Sequence, residues 1–255
     1  MFVLDFQPEM PYSVGLMRIP LTKYGLPQVA AYPAVIIAMM ILYFIVASRF
    51  LQPACACPVA LSMLWMPEVV LFVVLVWVFS FFRDPLRTIP NDPSLMLSPA
   101  DGRVTAIETM ESCVGFDGPV LRIEIFLSIF NVHINRTPCP VQIGKITYKP
   151  GKFLDARSPE CRKVNEANEI EMFRLDAPKD RLLVRQVSGA IARRIVCAAK
   201  TGDRYSGGQQ FGMIKFGSCT ELYISAHKTL HCAVQEGDAI KAGLTVLARY
   251  KNAAD

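Results

Sequence analysis

The stretch VLRIEIF, residues 120–126, alternates Leu121, Ile123 and Ile125 with Arg122 and Glu124. A period of two sends successive side chains to opposite faces, so the segment reads as a half-buried β-strand. Segments 170–175 and 182–187 read the same way. From about residue 90 onward such runs are separated by Gly, Pro and Asp turns, and no long helix finds a place among them. The tail VQEGDAIKAGLTVLARY, residues 234–250, reads as two strands around the turn 236–243. These features predict a mainly β (α+β) domain over residues 90–255 with barrel-sandwich-like hairpins.

Upstream the texture differs. The chain is 52% hydrophobic with a mean hydropathy of +0.32, too apolar for an ordinary soluble domain. Residues 24–48 carry no charge, and such a length crosses a hydrocarbon core of about 30 Å as a helix. A second apolar stretch, 59–82, is interrupted by Pro67-Glu68. It reads either as a second span or as a hairpin dipping into one leaflet. A pair of apolar helices, about 30–48 and 59–82, therefore makes residues 1–89 an N-terminal membrane-anchoring region. PACACP, residues 53–58, turns the chain between them. Arg18, Lys23, Arg83 and Arg87 flank the pair, while Arg49 alone lies inside it. The positive-inside bias puts both ends in the cytoplasm. Acidic Asp5 and Glu9 make the start a poor signal peptide.

Net charge is +5, which suits an anionic lipid surface and is too small to argue for nucleic acid. The eight cysteines show no Cys-x-x-Cys pair, so they read as reduced thiols in a reducing compartment. No spacing of Cys, His and carboxylates predicts a metal site. His227 and His231 read as part of a solvated loop. Lys152, Arg193, Arg194 and Lys200 are candidates for phosphate contact.

The run 213–225, MIKFGSCTELYIS, reads as a strand with Gly217-Ser218 in its middle. Glycine there marks a bulge or a close backbone approach. The strings FFRDPLRTIP (81–90), SPADGRV (98–104), FLSIFNVHINRTP (126–138), VRQVSGAIARRIV (184–196) and GQQFGMIKFGS (208–218) occur in this order. Together they resemble the short, membrane-associated form of the phosphatidylserine decarboxylase proenzyme, over roughly residues 25–250.

The resemblance implies a pyruvoyl-dependent carboxy-lyase that cuts its own chain between Gly217 and Ser218. It maps an Asp-His-Ser arrangement onto Asp101, His133 and Ser218. His133 would act as general base, Asp101 would orient the imidazole, and Ser218 would attack the Gly217 carbonyl and end as the covalent pyruvoyl cofactor. That ketone would form a Schiff base with phosphatidylserine and release phosphatidylethanolamine. The implied partners are phosphatidylserine and the bilayer, at the cytoplasmic face of the cell membrane. Chains 1–217 and 218–255 would remain together as a heterodimer, and a higher oligomer is open.

The sequence departs from the family picture at Cys219, where a basic residue is expected, and over 225–232. Two other classes compete. A serine hydrolase would reuse Ser218, His133 and Asp101, but FGSC lacks the G-x-S-x-G elbow. A lipoyl- or biotinyl-like carrier module would display Lys241 at the tip of the 236–243 hairpin.

Overall fold

The computed structural model describes residues 20–50, 58–158, 160–190, 194–215 and 217–251. Arg18, the Cys55 and Cys57 linker, Arg193 and Phe216 lie outside these residues.

Two long helices open the described chain, α1 (Leu26–Phe50) and α2 (Pro58–Phe81). Both pass the length and composition test for crossing a membrane, and only 11% of each candidate span is buried within the protein. They are therefore not the core helices of a soluble domain. The Tyr43 hydroxyl donates to the Leu64 carbonyl and links them. Of the two readings of the second apolar stretch, the continuous helix is the one adopted, since α2 runs through Pro67-Glu68. Pro67 removes one backbone donor, and the apolar turns on either side carry the helix on.

The strands are β1 (Leu95–Leu97), β2 (Gly102–Met110), β3 (Val120–Leu127), β4 (Ile134–Arg136), β5 (Val141–Lys149), β6 (Ala167–Arg174) and β7 (Arg181–Ser188). A single helical turn, α3 (Cys161–Val164), lies between β5 and β6. Then come β8 (Arg194–Cys197), β9 (Arg204–Tyr205), β10 (Gln210–Lys215), β11 (Ser218–Ser225), β12 (Leu230–Cys232), β13 (Ala239–Ile240) and β14 (Val246–Tyr250). Among the described residues they form an eight-stranded sheet, β13-β2-β3-β11-β7-β6-β5-β9, and two three-stranded sheets, β1-β14-β12 and β4-β10-β8. The mainly β reading and the apolar helix pair are both what the chain adopts.

The core lies on the face of the large sheet that carries Ile123, Ile125, Leu127, Ile170, Met172, Val184, Leu222 and Ile224. The opposite face corrects the half-buried reading of β3. Arg122 and Glu124 are buried too. They join Arg162, Arg185 and Glu221 in a set of ion pairs, with Arg122 Nη2 at 2.7 Å from Glu124 and Arg185 Nη1 at 3.0 Å from Glu221. Alternation tells which side chains share a face. It does not tell whether another segment covers that face, and charges survive such covering only when paired.

The run 213–225 is also corrected. It is not one strand: β10 ends at Lys215 in the small sheet β4-β10-β8, and β11 begins at Ser218 in the large sheet. Gly217 stands at the corner with φ +60°, a left-handed conformation that glycine adopts without steric cost.

The helix pair is seated on the small sheet. Phe81 and Phe82, at the end of α2, pack with Val78 and Met213. The Thr22 amide donates to the Phe82 carbonyl at 2.9 Å, and Lys215 Nζ donates to Gln28 at 3.0 Å. The foot of the helices thus lies beside the corner between β10 and β11.

Candidate active site

Ser218 is the first residue of β11 and pairs on both sides, with Leu127 of β3 and with Ser188 of β7. Its side chain shares the face of Thr220, Leu222 and Ile224, by the strand alternation. The residue is fully buried, and its hydroxyl has no hydrogen-bond partner. An orphaned buried hydroxyl costs about 1–3 kcal/mol. A hydrolase that turns over external substrate needs a reachable nucleophile. This one faces only its own chain.

The neighbouring carbonyl is held by a close backbone approach. A Cβ added to Gly189 would fall 2.3 Å from the Gly217 oxygen, so only glycine lets the chain leaving β7 pass the Gly217 carbonyl this closely. Gly217 and Gly189 therefore have separate duties, a turn in one case and a contact in the other.

His133 immediately precedes β4 and is fully buried. Its carbonyl accepts from the Ile214 amide on β10, which brings the ring towards the corner three residues further along. Nδ1 lies 3.0 Å from the Asn131 carbonyl oxygen. A carbonyl only accepts, so Nδ1 carries the proton and Nε2 presents its lone pair. That lone pair accepts the Gly217 amide hydrogen at 3.2 Å. Phe81 covers the ring, with centroids 4.4 Å apart. Burial pushes the His133 pKa down from 6.5 to about 4, while Asp101 acts to raise it.

Asp101 does not bond His133. Arg87 grips it through Nη1 and Nη2, at 2.6 and 2.8 Å. The Ala242 amide adds a third hydrogen bond, at 2.8 Å. Arg87 also donates to the Ala242 carbonyl. The turn after β13 is thereby clamped to the site, which is unlike the free hairpin tip of a carrier module; Lys241 is exposed beside the clamp. So the structure brings His133 to Gly217, next to Ser218, and holds Asp101 in a separate pair whose field reaches the imidazole.

Several residues that the sequence reading passed over complete the site. Asn165 is buried. It accepts from the Leu154 amide at 2.9 Å and donates to the Leu154 and Ser188 carbonyls at 2.9 and 2.8 Å. A buried polar row continues from Ser188 and Ser218. Gln186 donates to Asn135 at 2.8 Å, and Asn135 donates to Thr220 at 3.2 Å. A cavity of about 410 Å³ reaches Gly217 between Phe126–Phe130 and Asp155–Arg157. Its wall is mostly apolar, and Arg157 sits at it paired to Asp155 at 2.6 Å. Arg83, at the end of α2, donates to the Phe130 carbonyl at 2.8 Å and fastens this wall to the helix pair. Arg87 and Ser188 stood within the quoted strings. Their partners are more than a dozen residues away in sequence, so nothing local marked them.

The other candidates lie elsewhere. Cys219 points to the ion-pair face with Ala167 and Val187. Burial raises its pKa well above the usual thiol value, so it is a protonated, inert filler. His227 pairs with Asp180 at 2.6 Å, and His231 sits on β12. Lys152, Arg194 and Lys200 are exposed and do not line the cavity at Gly217.

Comparison with known proteins gives one consistent answer. The family model for phosphatidylserine decarboxylase matches residues 74–248. The phosphatidylserine decarboxylase proenzyme of Carboxydothermus hydrogenoformans is 43% identical over 192 residues, 75% of this chain and 88% of the relative. Those of Rhodopirellula baltica and Symbiobacterium thermophilum are 40% and 42% identical, covering 73% and 74% of this chain and 78% and 86% of the relatives.

Proposed function

The chain belongs to the phosphatidylserine decarboxylase family, and we propose that it decarboxylates phosphatidylserine to phosphatidylethanolamine after converting its own Ser218 into a pyruvoyl group. The observation that carries the self-processing part is the buried, unpartnered Ser218 hydroxyl next to a carbonyl held against Gly189.

The steps follow from these residues. His133 Nε2 releases the Gly217 amide and takes the proton of Ser218 Oγ. The oxygen attacks the Gly217 carbonyl carbon, the C–N bond breaks, and the proton passes to the departing nitrogen, leaving an ester. His133 then removes the Ser218 Cα proton. The Cβ–Oγ bond breaks and Gly217 leaves as a carboxylate. The dehydroalanine that remains tautomerises to an imine, which takes up water and loses ammonia to give the ketone. Asp101 favours each protonated state of His133 through its charge. Strand pairing of Ser218 to β3 and β7 keeps chains 1–217 and 218–255 together after the cut.

The surroundings suit a ketone at residue 218: a cavity reaches the adjoining Gly217, and the cut frees Gly217 from the ketone and opens the way to it. Such a group condenses with a primary amine and withdraws the electron pair left when carbon dioxide departs. This chain's own residues then do the rest. The apolar wall admits a lipid, Arg157 offers a cation to its anionic headgroup, and His133, bonded to the Gly217 amide, carries a proton. The helix pair, α1 and α2, lies in the N-terminal region 1–89 and anchors the site at the cytoplasmic face of the membrane.

Intact mass spectrometry tests the processing. Two chains are expected, breaking after Gly217, with the smaller lighter by one ammonia than a chain starting with free serine. An unbroken chain in folded, purified protein would sink the reading. Conversion of phosphatidylserine vesicles, lost after borohydride treatment, tests the substrate and the ketone.

Because His133 is neutral down to about pH 4, splitting of fresh precursor should hold a level rate from about pH 8 to pH 5 and decline below. A decline centred near 6.5 would show that burial does not govern this histidine. Stability has the same sign. The folded pKa lies below the unfolded one, so the contribution is full above the unfolded value and is lost as pH falls through the window down to about 4.

A further inference from the structure

Among the described residues, two buried hydroxyls have no hydrogen-bond partner, Ser188 Oγ and Ser218 Oγ. They belong to residues that are register partners on adjacent antiparallel strands. Register partners project to the same face with Cβ atoms about 4.5–5.5 Å apart, within reach of a hydrogen bond after rotation about χ1. Native proteins rarely leave such groups unsatisfied, and here two lie side by side.

Ser188 is also held with unusual care. Its amide donates to the Glu166 carbonyl at 2.9 Å, and its own carbonyl accepts from buried Asn165 at 2.8 Å. The next residue, Gly189, is the one that meets the Gly217 carbonyl oxygen. Ser188-Gly189 therefore faces Gly217-Ser218 as a two-residue template, one residue against the carbonyl and the other beside the hydroxyl.

We infer that Ser188 is a hydrogen-bond donor to Ser218 Oγ during self-cleavage, a role that rests on the processing reading above. When Ser218 Oγ gives its proton to His133, the Ser188 hydroxyl donates to the oxygen and aims its free lone pair at the Gly217 carbon. Its larger effect comes at the second step. As the Cβ–Oγ bond breaks, the electron pair goes to Oγ, which becomes part of the Gly217 carboxylate. A donor already in place stabilises that developing charge, and loss of one such donor slows a reaction about 10²–10³-fold. Ser188 keeps its own proton throughout.

The test is to follow fresh full-length precursor with Ser188→Ala and Ser188→Thr, each with a thermal melt, with and without hydroxylamine. Ser188→Ala should split about 10²-fold more slowly and should accumulate the ester. Hydroxylamine cuts that ester and releases residues 218–255 with a free serine at the start, which mass separates from the pyruvoyl form. A merely structural defect would not trap the ester. Ser188→Thr, which keeps a hydroxyl, should split within several-fold of the unmodified chain. Splitting of Ser188→Ala at the unmodified rate would overturn the role. If the alanine variant does not fold, Ser188→Val, which matches threonine in shape and lacks the hydroxyl, decides: slow splitting with trapped ester supports the role, and splitting at the Ser188→Thr rate overturns it. Failure of the unmodified chain to split would sink the processing reading itself, a separate result.

Discussion

Replacing Ser218 by alanine should leave a single folded chain of 255 residues with no decarboxylase activity. The substitution removes one oxygen atom that makes no hydrogen bond. No native contact of that oxygen is lost, and the melting temperature should be unchanged or slightly raised. Processing has no such tolerance. The hydroxyl is both the nucleophile and the source of the ketone, so its loss removes the cut and the cofactor together. Gel electrophoresis and intact mass should show the uncut chain even after prolonged incubation. Efficient cutting of Ser218→Ala after Gly217 would remove Ser218 from the reaction altogether.

Gly189→Ala should suppress splitting almost as strongly, for a different reason. The new methyl group would stand 2.3 Å from the Gly217 oxygen and 3.1 Å from its carbon. Neither side yields easily. Ser188, just before Gly189, ends a strand paired to β11 and held by Asn165, and Gly217 is tied through its amide to His133. Relief must move the carbonyl that Ser218 attacks. A shift of about 1 Å at a reacting atom costs on the order of 10² in rate, and overpacking of this kind costs about 1–3 kcal/mol of stability. The expected result is a folded precursor with a lowered melting temperature that splits at least about 10²-fold more slowly. Splitting at the unmodified rate would show that the close approach of β7 has no part in aiming the carbonyl.

These predictions mark the division between what the chain's order of residues determined and what folding added. Alternation in 120–126 and 182–187 specified strands, since side-chain direction along a strand is a local property. The uncharged run 24–48 specified a long exposed helix for the same reason: composition alone decides whether a helix surface suits water or hydrocarbon. The special backbone at Gly217 was also legible, because a glycine inside an apolar extended run demands an explanation. The break between β10 and β11 was not legible. Both halves are apolar and extended, and only the sheet each joins tells them apart.

The partners at the site were beyond the sequence altogether. Asp101 reads as a turn residue or an orienter of His133. Its actual partner, Arg87, is decided by where the segment after α2 crosses the turn at Ala242. Ser188 reads as one small residue in a strand. It becomes chemically significant only through the register that sets it opposite Ser218. Likewise, His133 has no exceptional neighbours in sequence, and its lowered pKa comes from desolvation under Phe81 at the end of an apolar helix. Local sequence determines direction and propensity. Contact, burial and the sharing of a proton depend on pieces of chain far apart along it, and those are decided by packing.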